Sequence, residues 1–119
     1  MKTTKIHYNL FKKECKYWID RLKLDDWEVY FEHGGASDNA FATTRLRSVG
    51  GVATIQLTKD WDMTGCDDIE DGIKKTAKHE VIHILLGRFS SNANTRCVTT
   101  DDLDESEEAL VRKLEKIIK

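Results

Sequence analysis

The stretch His79-Glu80-Val81-Ile82-His83-Ile84-Leu85-Leu86 carries the strongest pattern in this 119-residue chain. Apolar residues recur in and before it at intervals of three and four, which predicts the buried face of a helix at Ile73, Ala77, Val81, Ile84 and Leu85. A second side of the same helix carries small or ligating groups at Gly72, Thr76, His79 and His83. We therefore expect a helix that is covered on both sides and lies at the centre of the fold.

This helix should run from about Ile69 to Leu86. Asp67 or Asp68 can cap its start, since a carboxylate there accepts hydrogen bonds from the first free backbone N–H groups. Gly87 is a suitable terminator because glycine commonly follows the last helical residue.

His79 and His83 form the motif His-Glu-x-x-His with Glu80 between them. Residues four apart on a helix project from one face about one turn apart, which suits two imidazole ligands of a tetrahedral zinc ion. Glu80 is rotated by roughly 100° from His79 and 60° from His83. It can therefore reach a water that the metal polarises and act as a general base without being a ligand.

Two other interpretations of the motif stay open at this point. A random chain of this composition contains such a motif roughly once in a hundred sequences, so its helical and apolar context matters. Buried His and Glu are costly unless something pairs with them, and a metal ion would be that partner. The alternatives are a pair of hydrogen-bonded core histidines or a site that no longer binds metal.

A catalytic zinc ion needs a third protein ligand and one open position. No histidine follows His83, so a third imidazole would have to come from His7 or His33. An acid from the last helix is therefore expected. Glu107 falls in the middle of that helix's apolar stripe and is the predicted third ligand, with Glu108 next.

Two alternatives to that ligand also stay open. Glu107 could belong to a solvated acidic run over residues 104–108, which is the usual situation for such runs. Cys97 could supply a thiolate from a loop, although we favour the carboxylate.

The rest of the chain predicts an α+β fold in a single domain over residues 1–119. An amphipathic helix spans residues 4–24, and alternating apolar and polar runs predict strands at 27–33, 40–47 and 52–57. Gly50 and Gly51 suit a tight turn between the last two strands, so we expect a small, mainly antiparallel three-stranded sheet. After the central helix, residues 89–98 read as a loop. Thr99 or Thr100 then caps a C-terminal helix that runs to about Ile118.

Composition narrows the classes of partner. The net charge is −2 without clusters of Lys or Arg, which argues against nucleic acid. No apolar run approaches the length of a membrane span, and the N-terminus lacks a signal-peptide core. Three widely spaced cysteines, Cys15, Cys66 and Cys97, favour a reducing compartment. We expect a cytoplasmic protein, and a monomer.

The motif and the glutamate-bearing helix after it resemble the zincin metallopeptidases, specifically the gluzincin branch typified by thermolysin. The likeness is greatest to very small HExxH metallopeptidases encoded by phages and prophages, through residues 79–86 and 107–115. The resemblance implies zinc-dependent hydrolysis of a peptide or protein substrate, with His79, His83 and Glu107 on the metal and Glu80 as catalytic base. It also implies that the strand at 52–57 is the edge along which an extended substrate lies.

Two positions depart from that family's pattern. Thermolysin-like enzymes place an Asp four residues after the ligand Glu, where this chain has Val111, or Arg112 if the ligand is Glu108. They also use a His or Tyr after the glutamate helix to stabilise the oxyanion, and this chain has neither beyond His83. Possible substitutes are His33, Tyr30, Arg88 and Arg96. The rival hypothesis is therefore a catalytically weak or inactive zincin-like module that binds a host or phage protein, with zinc structural or absent.

Overall fold

The computed structural model describes residues 1–36, 40–47, 50–62, 68–93 and 99–117. Its elements in chain order are α1 (Lys5–Arg21), β1 (Glu28–His33), β2 (Ala42–Arg47), β3 (Val52–Leu57), α2 (Ile69–Ala93) and α3 (Thr100–Ile117). The predicted α+β class is confirmed: an N-terminal helix and a three-stranded sheet precede two C-terminal helices.

The three strands form a mixed sheet with the order β1-β3-β2. β3 pairs antiparallel with β2 and parallel with β1, so the expected mainly antiparallel sheet has one parallel pair. β3 occupies the centre because Ala53, Ile55 and Leu57 are fully buried, and a strand with so apolar a run gains most from neighbours on both sides. Gly50 and Gly51 adopt positive φ angles of 87° and 63°, as a tight turn between β2 and β3 requires.

The core lies between the sheet, α1 and α2. The five apolar residues predicted for the buried face of α2 are all buried, with exposures of 0 to 7 %. Phe11 and Cys15 of α1 are fully buried, and α1 packs against α2. Thr4 caps α1 by accepting a hydrogen bond from the backbone N–H of His7.

Helix α2 is longer than the sequence indicated, because it continues through Gly87 to Ala93. Gly87 serves close packing: a Cβ atom there would lie 2.7 Å from Leu46 Cδ1 and 3.4 Å from Trp27 Cζ2. The expectation that Gly87 ends the helix was therefore wrong, and so was the loop expected from Phe89. Residues 94–98 of that loop lie outside the described residues.

Helix α3 begins as predicted, with Thr99 Oγ1 accepting a hydrogen bond from the Asp102 backbone N–H. Its buried residue lies one position before Glu107, the predicted centre of the apolar stripe, which is a rotation of roughly 100°, although Leu110 and Ile117 of that stripe pack against the core. Ser106 is buried and lines one crevice with Leu85 of α2, whereas Val111 and Leu114 are 39 % and 38 % exposed. In the described part of the chain, no helix is long and apolar enough to cross a membrane.

Candidate metal centre

The two motif histidines face each other on α2. His79 Nε2 and His83 Nε2 are 3.2 Å apart, and the two rings lie edge to face with centroids 4.9 Å apart. Two nitrogens that bind one tetrahedral zinc ion at 2.0–2.1 Å are separated by about 3.3 Å. The side chains therefore already hold the spacing that a shared metal ion requires.

Both histidines are exposed, whereas Glu80 is only 6 % exposed. The expectation that the imidazoles are buried was wrong in this respect, because α2 is covered on its core side and leaves the histidine side open. An open imidazole pair is accessible to an ion and to a substrate. A buried carboxylate needs a partner nearby, since desolvation of its charge is costly.

Thr44 of β2 provides that partner. Its hydroxyl donates to Glu80 Oε2 at 2.5 Å and lies 3.3 Å from the Glu80 backbone oxygen. One hydroxyl thus ties the carboxylate to the sheet and restricts its orientation. The motif predicted the role of Glu80, but no local signal in the sequence identifies Thr44, because the contact joins residues 36 positions apart.

Glu80 also lies close to the thiol of Cys15 in α1. Burial raises the pKa of Cys15 far above its ordinary value, and the negative charges of Glu80 and Glu14 raise it further. The thiol therefore stays protonated, and its sulfur lies 4.0 Å from the Ala77 carbonyl oxygen. It serves as packing behind the helix, as expected for a core cysteine.

Among the described residues, one group of three could hold a metal ion: His79, Glu80 and His83, whose ligand atoms lie within 4.8 Å of one another. Glu107 is not in this group. It is exposed on α3 and follows Ser106, the buried residue of that helix. Glu108 is exposed too and lies 3.8 Å from Arg112. The structure thus does not bring Glu107 or Glu108 to the histidines, and a third ligand from α3 stays a prediction.

An open cleft of 440 Å³ borders the site. We call it the histidine cleft, and it is lined by Ala40, Phe41, Ala42, Lys75, Thr76, His79 and Glu80. Its volume falls within the range of small-molecule and peptide sites. The cleft gives a ligand access to both an imidazole and the buried carboxylate.

Four residues suggested from sequence as ligand or oxyanion stabiliser make other contacts. His33 Nε2 lies 2.7 Å from Thr3 Oγ1, and His7 Nδ1 accepts from the Thr4 backbone N–H in the α1 cap. Tyr30 donates to Glu28, and Arg88 lies 3.5 Å from Asp26. Cys66, Arg96 and Cys97 lie outside the described residues.

The strand that was expected to carry the substrate does not have a free edge. β3 is paired on both sides, so that expectation was wrong. In the described part of the chain, β2 pairs only with β3. β2 also packs against α2 and carries Thr44, so the sheet edge nearest the histidines belongs to β2.

Comparison with protein-family models, with curated proteins and with solved structures gives no match for this chain. The site is an HExxH-like His-Glu-His group on a helix, beside a cleft, and it could hold a metal ion.

Proposed function

We propose that this chain is a zinc-dependent peptidase of gluzincin-like type, in which His79 and His83 hold the metal and Glu80 is the general base. The observation that carries the proposal is the 3.2 Å separation of the two Nε2 atoms beside a buried, oriented carboxylate. Neutral imidazoles bind zinc well, and their spacing here fits tetrahedral coordination.

A bound zinc ion supplies Lewis acidity, which polarises a substrate carbonyl and lowers the pKa of water. The protein's own contribution starts with Glu80. Thr44 holds Oε2, so Oε1 is left to take a proton from the attacking water and pass it to the leaving amine. After Oε1 takes the proton, Oε2 is still an acceptor, so the Thr44 hydroxyl can keep its hydrogen bond to Oε2 through the reaction.

An extended peptide would lie along β2. Its backbone would hydrogen-bond to the side of that strand that faces away from β3, as in other cases of strand addition to a sheet edge. Ala42, the first residue of β2, and Phe41 just before it line the histidine cleft, so a peptide in this position would pass directly beside Glu80.

Glu107 stays our proposed third ligand. Glu107 follows Ser106, which lines a crevice together with Leu85 of α2, although the Glu107 side chain itself is exposed. Coordination by Glu107 would require its side chain to turn toward the histidines. Glu108 is the alternative on the same helix.

Zinc stoichiometry tests the metal site. Purified protein should bind about one zinc ion per chain, and His79→Ala and His83→Ala should reduce the bound zinc at least tenfold. Lys74→Ala is the matched control, since Lys74 is exposed on the same helix and lies outside the group of three. Glu107→Gln and Glu108→Gln identify the third ligand. Zinc retention by both variants would remove α3 from the site.

Cleavage tests the reaction. Glu80→Gln should retain zinc and lose hydrolysis of a mixed peptide pool, because the amide cannot accept the proton. Undiminished cleavage by Glu80→Gln would exclude Glu80 as the base. If the wild type binds zinc and cleaves no peptide, the proposed reaction is wrong.

A protein-binding module is the second candidate, favoured by apolar side chains on the face that carries the histidines. Ile82 and Leu86 are 37 % and 41 % exposed there. Failure of the wild type to bind zinc under any loading condition would favour this function.

A further inference from the structure

The histidine cleft is lined by a positively charged side chain, Lys75, that has no role in the proposed metal binding or general-base catalysis. Lys75 lines it together with His79 and Glu80, and its side chain is 79 % exposed. Lys75 is four residues before His79, as His79 is four before His83, so the three side chains follow one row along the helix.

The opposite wall of the cleft is aromatic. Phe41 lies just before β2 and stacks on Trp61 with ring centroids 4.3 Å apart. Trp61 is 2 % exposed and belongs to the core, so it fixes the Phe41 ring from behind. Phe41 itself is 39 % exposed and offers apolar area to a ligand.

We infer that the cleft selects a substrate carrying a carboxylate near the scissile bond, with Lys75 as the specificity-determining cation and Phe41 as the surface for its apolar stem. This inference rests on the proposed function. It names the chemistry of the substrate: an aliphatic or peptide stem that ends in a carboxylate. A Glu side chain and a peptide C-terminus are two sources of that group.

The geometry limits where this carboxylate lies. The Lys75 Cα lies about 9 Å along the helix axis from the midpoint of the two histidines, at 1.5 Å rise per residue. Lys75 Nζ lies beside Asp71, on the turn away from the histidines, but the side chain is mostly exposed and can turn toward them, which shortens this distance by several ångström. An extended peptide advances about 3.4 Å per residue. The carboxylate is therefore one or two residues from the scissile bond.

Asp71 sets the strength of this preference. Its carboxylate lies 3.0 Å from Lys75 Nζ, and both groups are mostly exposed. Such surface pairs contribute little to stability, and an ammonium has three donors. A substrate carboxylate can thus bind Lys75 in competition with Asp71.

Paired peptides test the inference on the zinc-loaded full chain. In the first set, one member of each pair carries Glu and the other carries Gln, one or two residues from the cleaved bond. In the second set, one member has a free C-terminus at that position and the other has an amidated one. We expect kcat/KM of the wild type to favour the acid member by about three- to tenfold, as one exposed charge pair gives. The set that shows the preference identifies the source of the carboxylate.

Three variants assign the preference to the cleft. Lys75→Met should abolish the preference, Lys75→Glu should reverse it, and Asp71→Asn should increase it by removing the competing carboxylate. Lys74→Met is the control and should keep the wild-type ratio, because Lys74 does not line the cleft. A wild type without acid preference, or a preference that survives Lys75→Met, overturns the inference.

Binding gives a readout that does not depend on cleavage. Fluorescence anisotropy of the same labelled peptides on Glu80→Gln protein should show the same Lys75-dependent ratio of dissociation constants. If no peptide is cleaved but this ratio holds, the proposed reaction fails while the inference stands. Equal binding of acid and amide members overturns the inference.

Discussion

Thr44 Oγ1 donates a hydrogen bond to Glu80 Oε2 at 2.5 Å, and this bond links the edge strand β2 to the motif helix α2. Glu80 is the only buried member of the group that could hold a metal in the described residues. The contact thus combines two roles: it satisfies a carboxylate that is shielded from water, and it orients that carboxylate beside the histidine cleft.

Replacing Thr44 by valine should destabilise the fold and weaken the site. Valine has nearly the same shape but no hydroxyl, so a buried carboxylate loses its partner, which costs about 1–3 kcal/mol. Urea unfolding measures this cost. Thr44→Ser keeps the hydroxyl and should recover most of the stability and, if the chain is a peptidase, most of kcat. A Thr44→Val protein as stable and active as Thr44→Ser would show that the bond has neither role.

Acid should weaken the fold through His33. Thr3 gives its one hydroxyl proton to the Thr58 carbonyl at 2.7 Å, so His33 Nε2 must be the donor to Thr3 Oγ1. Burial lowers the pKa of His33, and the positive charges of Lys59 and His7 lower it further. The unfolded chain therefore binds this proton more tightly than the native state. The contribution of His33 to the free energy of unfolding is therefore complete above the ordinary histidine pKa of about 6.5, and this contribution is lost as pH falls below that value.

The urea midpoint at pH 7.5 and at pH 5.5, measured for wild type and His33→Gln, checks this sign. Glutamine can donate from the position of Nε2 but does not titrate. The wild type should lose more stability on acidification than His33→Gln. Equal losses in the two proteins would assign the acid sensitivity to other groups.

Alanine at three glycines should separate backbone strain from steric contact. Gly50→Ala places a side chain at φ 87° with no atom within 4 Å, so only the positive φ costs energy, about 1 kcal/mol. Gly51→Ala adds a Cβ 2.9 Å from the Asp26 backbone oxygen and should cost about 1 kcal/mol more. Gly87→Ala should be near neutral, because the helix gains up to about 1 kcal/mol and Leu46 Cδ1 is a movable chain end.

The free energies of unfolding of the three variants rank their stabilities. From least to most stable, the expected ranking is Gly51→Ala, Gly50→Ala, Gly87→Ala. If Gly87→Ala were the least stable, the Leu46 and Trp27 side chains would be more rigidly packed against α2 than their chemistry suggests.

Local sequence signals predicted most of the elements and the grouping of His79, Glu80 and His83 on one helix. The cap at Thr99, the turn at Gly50 and Gly51 and the buried face of α2 all depend on neighbours a few residues away. Such short-range features are readable because helix and strand periods repeat within one segment. The same holds for the pairing of His79 with His83.

Long-range relationships were not readable in the same way. The parallel pairing of β1 with β3 depends on which strand is most buried, and that is a property of the whole sheet. A glycine at position 87 can either end the helix or allow close packing, and the sequence around it looks the same in both cases. Only the position of Leu46 beside it shows that Gly87 allows close packing.

The orientation of α3 shows the same limit. Its large apolar residues define a stripe around Glu107, and Leu110 and Ile117 of that stripe pack against the core, yet the most buried residue of the helix is the neighbouring Ser106. This orientation exposes Glu107, which the apolar stripe alone had placed toward the core.

Cys15 should be unreactive in the native protein and should report on global unfolding. It is fully buried, and burial together with the nearby Glu80 and Glu14 charges raises its pKa, so hardly any thiolate forms.

A chain with Cys66→Ser and Cys97→Ser leaves Cys15 as the single thiol. Its modification by a disulfide reagent in buffer should be at least about a thousandfold slower than in urea, since reaction needs an opening of several kcal/mol. Adding Glu80→Gln removes one of the charges but not the burial, so protection should persist wherever that variant stays folded. Rapid labelling in buffer, with unfolding by urea still cooperative, would mean that α1 separates locally from α2 and that Glu80 is less enclosed than its 6 % exposure indicates.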